Sequence, residues 1–201
     1  MELIVITNEN LFDGEAEALN LLFEHDLQTL HLRKPHATEI GIEHVINKVN
    51  SEYRNRIVLH DCFNLIHKYD LKGVHLNSRN TNFPQKEGLS VSRSCHSFEE
   101  VEKFSDLNYV FLSPIFDSIS KQGYNKAFSD RDLLEARDTG IINKKVFALG
   151  GITAQNISEA AQFGFGGVVV LGTLWEDYVL KKDKSGLIAR LYELQSICNR
   201  L

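Results

Sequence analysis

Proline, methionine and tryptophan are scarce in this 201-residue chain, with 3, 1 and 1 copies. With only 13 glycines beside them, collagen-like and proline-rich disordered architectures are excluded, and 43% apolar residues suffice for a sizeable core. Long apolar runs are also missing: Val168–Leu171, between glycines, stays far below the ~18 residues that a bilayer demands, so no membrane partner is expected. Positive charge is not in excess. Lys and Arg number 22 against 27 acids, and a net charge of -5 argues against nucleic acid as a general partner while leaving room for a local basic site. The three cysteines, Cys62, Cys95 and Cys198, lack any CxxC pairing, which suits reduced thiols packed as small hydrophobes. Met1–Thr7 has neither a basic leader nor a cleavage site and reads as a first strand, so a cytoplasmic location is expected. Histidine is absent from the second half: all eight lie between His25 and His96.

What is present is an alternation. Apolar or β-branched runs recur at Leu3–Thr7, Thr29–Leu32, Arg56–His60, Gly73–Leu76, Leu89–Ser92, Tyr109–Leu112, Lys145–Leu149 and Gly167–Leu171. Between them lie segments of helical spacing, such as Ile42, Val45, Ile46 and Val49, and the chain closes on Leu187, Ile188, Leu191, Leu194 and Cys198. Ser97–Glu100 and Ser129–Asp132 carry helix-start signatures. Strands separated by helices require parallel crossovers, and eight such units close into a barrel. The expectation is an α/β fold, a single-domain TIM (β/α)8 barrel over residues 1–201, with eight helices. A doubly wound sheet is the competitor, but no Gly-x-Gly-x-x-Gly turn follows Ile6. The one long connection, Ser113–Phe128, is expected to be functional.

In such a barrel the site forms at the carboxyl ends of the strands. That rule selects His31 and Arg33, His60 and Asp61, His75 with Asn77–Asn80, Ser94 and His96, Ser118–Lys121, Gly150-Gly151, and Gly172-Thr173. The two glycine turns, after strands seven and eight, suit a phosphate against backbone amides. The alternative is that both are mere tight turns. Arg33 and Lys121 can add positive charge, although single basic residues commonly serve only as solvated surface groups. Asp61 suits a hard cation, or else caps the following helix. His31, His60, His75 and His96 invite a metal-cluster hydrolase reading, but without His-x-His or His-Glu-x-x-His spacing hydrogen-bonded structural roles are preferred.

The ordered pieces His31-Leu32-Arg33, Leu59-His60-Asp61, Lys72–Leu76, Ser92–Ser97, Ser113–Lys121 and Ala148–Ile152 resemble thiamine-phosphate synthase (thiamine-phosphate pyrophosphorylase) and its relative, thiazole tautomerase. The resemblance covers nearly the whole chain. It implies thiamine biosynthesis: coupling of a phosphorylated pyrimidine, hydroxymethylpyrimidine diphosphate, to a thiazole phosphate with release of diphosphate. It also implies Mg²⁺ at Asp61 and Asn80, and catalytic roles for Arg33 and Lys121 at the diphosphate and for Ser94 beside the reacting pyrimidine. His31, His60, His96, Ser118, Ser120, Gly150, Gly151, Gly172 and Thr173 would bind substrate, and exposed barrel faces would pair into a homodimer.

The departures from that pattern define the alternatives. His31 replaces an expected Gln, Pro35 an expected Lys and His60 an expected Asn. Asn80 stands in place of a second metal-binding Asp and weakens the Mg²⁺ site by one charge. Lys34 adjoins Pro35, but strand alternation sends it to the other face unless the chain bends. His31-Leu32-Arg33 and Arg93–Ser97 resemble the tautomerase branch, an isomerase of a thiazole carboxylate phosphate, whose catalytic His would fall where Ser113-Pro114-Ile115 stands. A non-catalytic thiazole-phosphate binder is the third reading.

Overall fold

A computed structural model of the chain describes residues 1–117 and 126–201. Eight parallel strands close into a barrel in sequence order: β1 Glu2–Ile6, β2 Leu30–Leu32, β3 Ile57–Leu59, β4 Gly73–Leu76, β5 Ser90–Cys95, β6 Tyr109–Leu112, β7 Val146–Leu149 and β8 Gly167–Val170. Val5 lies beside both Leu30 of β2 and Val170 of β8, which seals the ring. The helices are α1 Glu15–Glu24, α2 Glu39–Lys48, α3 Phe98–Lys103, α4 Asp130–Asp138, α5 Ile157–Gln162, α6 Gly172–Lys181 and α7 Lys184–Cys198. None is long and apolar enough to cross a membrane, among the described residues.

Two of the expected crossover helices do not form. Between β3 and β4 the chain makes only a 3-10 turn, Phe63–His67, and no helix connects β4 to β5. The latter stretch holds Pro84, Gly88 and few apolar residues, so it offers no stripe to bury. The eight-helix expectation is therefore corrected to seven α-helices among the described residues, two of which follow β8.

Strand alternation creates two cores. Outward residues such as Val5, Leu30, Leu59, Val74, Leu112 and Val168 pack under the helices with Leu19, Ile46 and Leu191. Inside the ring, Ile4, Ile6, Phe111, Phe147 and Val169 form a separate apolar cluster from β1, β6, β7 and β8. The opposite half of the interior is polar and buried: His31, His60, His75 and Ser92. Here β5 runs to Cys95 rather than stopping at the expected Ser92, because its inward positions are serines that bond His75 instead of burying hydrocarbon.

Helix starts follow the signatures with one revision. Ser129 and Asp132 form a reciprocal capping box. Ser97 accepts from the Glu100 amide, but the Glu100 carboxylate reaches past it to the amide of His96 at 2.6 Å. Cys95 and Cys198 are buried, and burial pushes their thiols up to about 12 and about 11. Both are inert hydrophobes at neutral pH.

Lys34 obeys the strand alternation. It turns away from the barrel interior, and its ammonium, with no exposed surface, meets Glu15 of α1 and the carbonyls of Asn8 and Asn10. Losing one partner of such a pair strands the other charge in a dry site. Lys34→Met is expected to lose about 3–5 kcal/mol in urea unfolding. The double variant Lys34→Met, Glu15→Leu is expected to regain the greater part; an equally unstable double variant would show that the pair itself is not the source of the loss.

Candidate active site

The carboxyl mouth of the barrel is organised from its first two strands. The Thr7 hydroxyl donates to the Arg33 carbonyl at 3.1 Å and accepts from the Arg33 amide at 3.0 Å, locking the ends of β1 and β2 together. The Arg33 side chain stays partly exposed, 3.5 Å from Glu9. Behind it, Trp175 donates its indole N–H to the Ile6 carbonyl at 2.7 Å, which anchors α6 beneath the mouth.

After β3, the backbone carbonyl of His60 accepts from Asn77 at 3.2 Å and from Asn80 at 3.0 Å. The Asn80 amide also donates to Asp61 Oδ1 at 2.9 Å, with the Arg79 guanidinium 3.7 Å from the same oxygen. Asp61 Oδ2 is buried and meets no donor among the described residues. A buried carboxylate oxygen left open in this way fits a hard cation, which takes oxygen ligands. Asn80 lies where it can contribute, although its amide now faces Asp61 through nitrogen.

The imidazoles of His31, His60 and His75 converge inside the barrel, with ring nitrogens within 4.8 Å of one another. They are joined to each other and to hydroxyls. His31 Nδ1 lies 2.8 Å from His60 Nε2, and His31 Nε2 lies 2.7 Å from the Tyr109 hydroxyl. His75 spans Ser92 and Ser94, each at 2.8 Å. The rings of His60 and His75 stack at 4.3 Å. Burial, followed by neighbouring positive groups, holds His31 and His60 well below the ordinary imidazole range and His75 down at about 3. Burial also raises the Tyr109 phenol. All four are neutral at physiological pH. His96 stands apart on the exposed rim, its Nδ1 3.1 Å from the Ser113 carbonyl.

The glycine turns have a second reason to be glycine. Gly150 and Gly151 both have positive φ, 99° and 64°. A Cβ on Gly150 would lie 2.9 Å from Pro114 Cα, and one on Gly151 only 2.3 Å from the Asp117 carbonyl. The segment after β6 therefore lies flat on these residues, with Phe116 donating to the Gly150 carbonyl. At α6, Leu174 and Trp175 both donate to Leu171, leaving the amides of Gly172 and Thr173 without an acceptor among the described residues. The Thr173 hydroxyl points back to the Ile152 carbonyl and ties the two glycine turns together.

The structure thus gathers Arg33, Asp61, Asn80, Ser94, the three interior histidines and both glycine turns at one end of the barrel. Ser118, Ser120 and Lys121 lie outside the described residues. The sequence reading passed over Ser92 and Tyr109. Period-two spacing within β5 was the available signal for Ser92, which shares a face with Ser94; Tyr109 opens β6 far from the mouth in sequence terms and carries no such mark.

A closed parallel barrel with a carboxylate seat and paired amide turns at its mouth is the frame of the (β/α)8-barrel enzymes. The model of the thiamine monophosphate synthase family matches residues 3–174, and the chain belongs to that family. Thiamine phosphate pyrophosphorylase from Bacteroides thetaiotaomicron superposes with a TM-score of 0.89 at 39% identity, covering 99% of this chain and 98% of its own. A thiamine-phosphate synthase of Listeria welshimeri is 29% identical over 165 residues, which cover 77% of this chain and 76% of that protein. Thiamine phosphate pyrophosphorylase from Pyrococcus furiosus, at 18% identity, shares the fold with a TM-score of 0.76 over 99% of this chain and 96% of its own.

The neutral histidines set a pH dependence of stability. Their native pKa lies below the unfolded value near 6.5, so the unfolded chain binds the extra protons. Stability is complete above about pH 6.5 and is lost as the pH falls toward the native values, by up to about 1.4 kcal/mol per pH unit for each histidine. The urea midpoint is expected to drop between about pH 7.5 and about pH 5, and less steeply in His75→Gln. A midpoint that holds constant would contradict the burial of neutral imidazoles.

Proposed function

We propose that this chain is the transferase of thiamine biosynthesis that joins hydroxymethylpyrimidine diphosphate to thiazole phosphate, forming thiamine phosphate and releasing diphosphate. The observation that carries the reading is the open Asp61 oxygen at the mouth of a barrel belonging to this family. The bond from the pyrimidine methylene carbon to the diphosphate oxygen breaks, and the thiazole nitrogen supplies the electron pair for the new C–N bond.

Each part of the site has a task in that reaction. Arg33, with Lys121, holds the departing diphosphate, whose charge grows as the C–O bond opens. Asp61 Oδ2, beside the Asn80 side chain, would hold Mg²⁺. When bound, the cation neutralises charge on the leaving group. Ser94, fixed by His75, lies beside the pyrimidine. The amides of Gly151, Gly172 and Thr173 receive the thiazole phosphate at the start of α6, where the helix dipole favours an anion. The family resemblance gives Ser118 and Ser120 to the same substrates, and His96 stands on the rim. The inert thiols suit a reducing cytoplasm.

Purified protein supplied with both substrates and Mg²⁺ is expected to form thiamine phosphate and diphosphate in equal amounts; no product under sensitive detection would refute the reading. Asp61→Asn is expected to lower the rate about 10²-fold or more, the scale at which a transition-state charge contact is lost. Asn80→Asp, by adding a charge, is expected to lower the Mg²⁺ concentration giving half-maximal rate.

A further inference from the structure

Three oxygens surround the Lys34 ammonium: the carbonyls of Asn8 at 2.5 Å and Asn10 at 3.0 Å, and Glu15 Oε1 at 2.5 Å. An ammonium has three N–H donors, so each donor is engaged. The side chain has no exposed surface, and solvent cannot replace a partner that is lost. Pro35, next in the chain, disfavours a helical backbone at Lys34 and so helps to hold its outward direction.

Two of the three oxygens belong to the loop that joins β1 to α1. Among the described residues no backbone–backbone hydrogen bond reaches residues 8–11, and the Asn10 amide turns to Asn8 Oδ1 within the loop itself. Lys34 therefore makes the hydrogen bonds that tie Asn8 and Asn10 to the rest of the chain. Further on, Phe12 rests against Trp175 of α6 with ring centroids 6.0 Å apart, and the Lys182 ammonium lies 4.2 Å from the same ring. Between Asn8 and Asn10 stands Glu9, whose carboxylate is 3.5 Å from the Arg33 guanidinium. Consecutive residues thus take opposite sides of one loop: Arg33 faces it from the mouth and Lys34 grips it from behind.

We propose that Lys34 is a positioning residue of the mouth, whose ammonium serves as a structural cation behind the β1–α1 loop and, through Asn8 and Asn10, sets Glu9 against Arg33. The Glu9 contact is partly exposed and weak, so freeing Arg33 from it gains little. A guanidinium held in one orientation loses less freedom when an anion binds, and that is what the loop supplies. The anion-binding half of this inference rests on the diphosphate role proposed for Arg33, whereas the ordering of the loop stands without it.

The experiment sets affinity against stability. Backbone ¹⁵N relaxation of the unaltered protein is expected to give order parameters of about 0.85 at Glu9 and Asn10, as in rigid structure. In Lys34→Met, Glu15→Leu the fold is expected to recover while both loop carbonyls lose their donor. There the order parameters are expected to fall below about 0.6, and calorimetric binding of inorganic diphosphate to weaken about 5-fold, the scale of ordering one long side chain. Glu15→Gln is the converse: the buried ammonium loses its counter-charge, so the protein is expected to unfold more easily. Asn8 and Asn10 keep their donor, so loop order and diphosphate affinity are expected to stay at the unaltered values. A mobile loop in the unaltered protein, or a rigid one in the double variant, would overturn the inference. A loosened loop with unchanged affinity would overturn the link to Arg33, as would affinity that falls in Glu15→Gln and recovers in the double variant. A loop that loosens as expected in a protein that never binds diphosphate would uphold the role of Lys34 in the loop and defeat the diphosphate role of Arg33.

Discussion

Closing eight parallel strands into a ring commits alternate residues to an interior that water cannot fill and helices cannot reach. Each inward side chain must find its partner among those of the other strands. In this chain the commitment is met in two ways. From β6 through β8 to β1 the interior is aromatic and aliphatic, with Phe111, Phe147, Val169, Ile4 and Ile6 in contact. From β2 to β5 it is imidazole and hydroxyl, and the partners are hydrogen bonds. Four of the eight histidines follow that division: His31 lies on β2, His75 on β4, and His60 and the rim histidine His96 come directly after β3 and β5.

Burial without charge is what makes such an interior tolerable. An imidazole has a low cost of staying neutral, and the desolvation that depresses its pKa guarantees that it does. The hydrogen bonds then replace what water would have supplied. The same arrangement competes with a metal: ring nitrogens already engaged by one another and by hydroxyls would have to give up those bonds before an ion could be held. Of the three, His75 is the one that fixes the Ser94 hydroxyl.

The fold was legible because apolar alternation in β1, β4, β6 and β8 is strong and every strand lies within two residues of its expected bounds, except β5. There the inward residues are Ser92 and Ser94, so hydropathy carried no signal beyond Ser92. The missing helices around β4 were misjudged because a TIM barrel in the abstract has eight, whereas Phe63–His67 is too short for more than a tight turn. At the site, strand-end logic found Arg33, Asp61, Ser94 and both glycine turns. It could not foresee that Gly150 and Gly151 also yield space to Pro114 and Asp117, nor that Tyr109 reaches His31 across the ring. Those are contacts between strands far apart in sequence, visible only once the ring is closed.

Arg33 does not wait at the mouth as a bare cation. Its guanidinium already faces Glu9, a carboxylate tethered on the preceding loop. An anion that binds there must displace a resident competitor, so its net affinity is the difference between two ion pairs rather than the strength of one. Both side chains are partly exposed, so the pair is worth about 1 kcal/mol or less, and it orients the resting guanidinium at the mouth more than it occupies it.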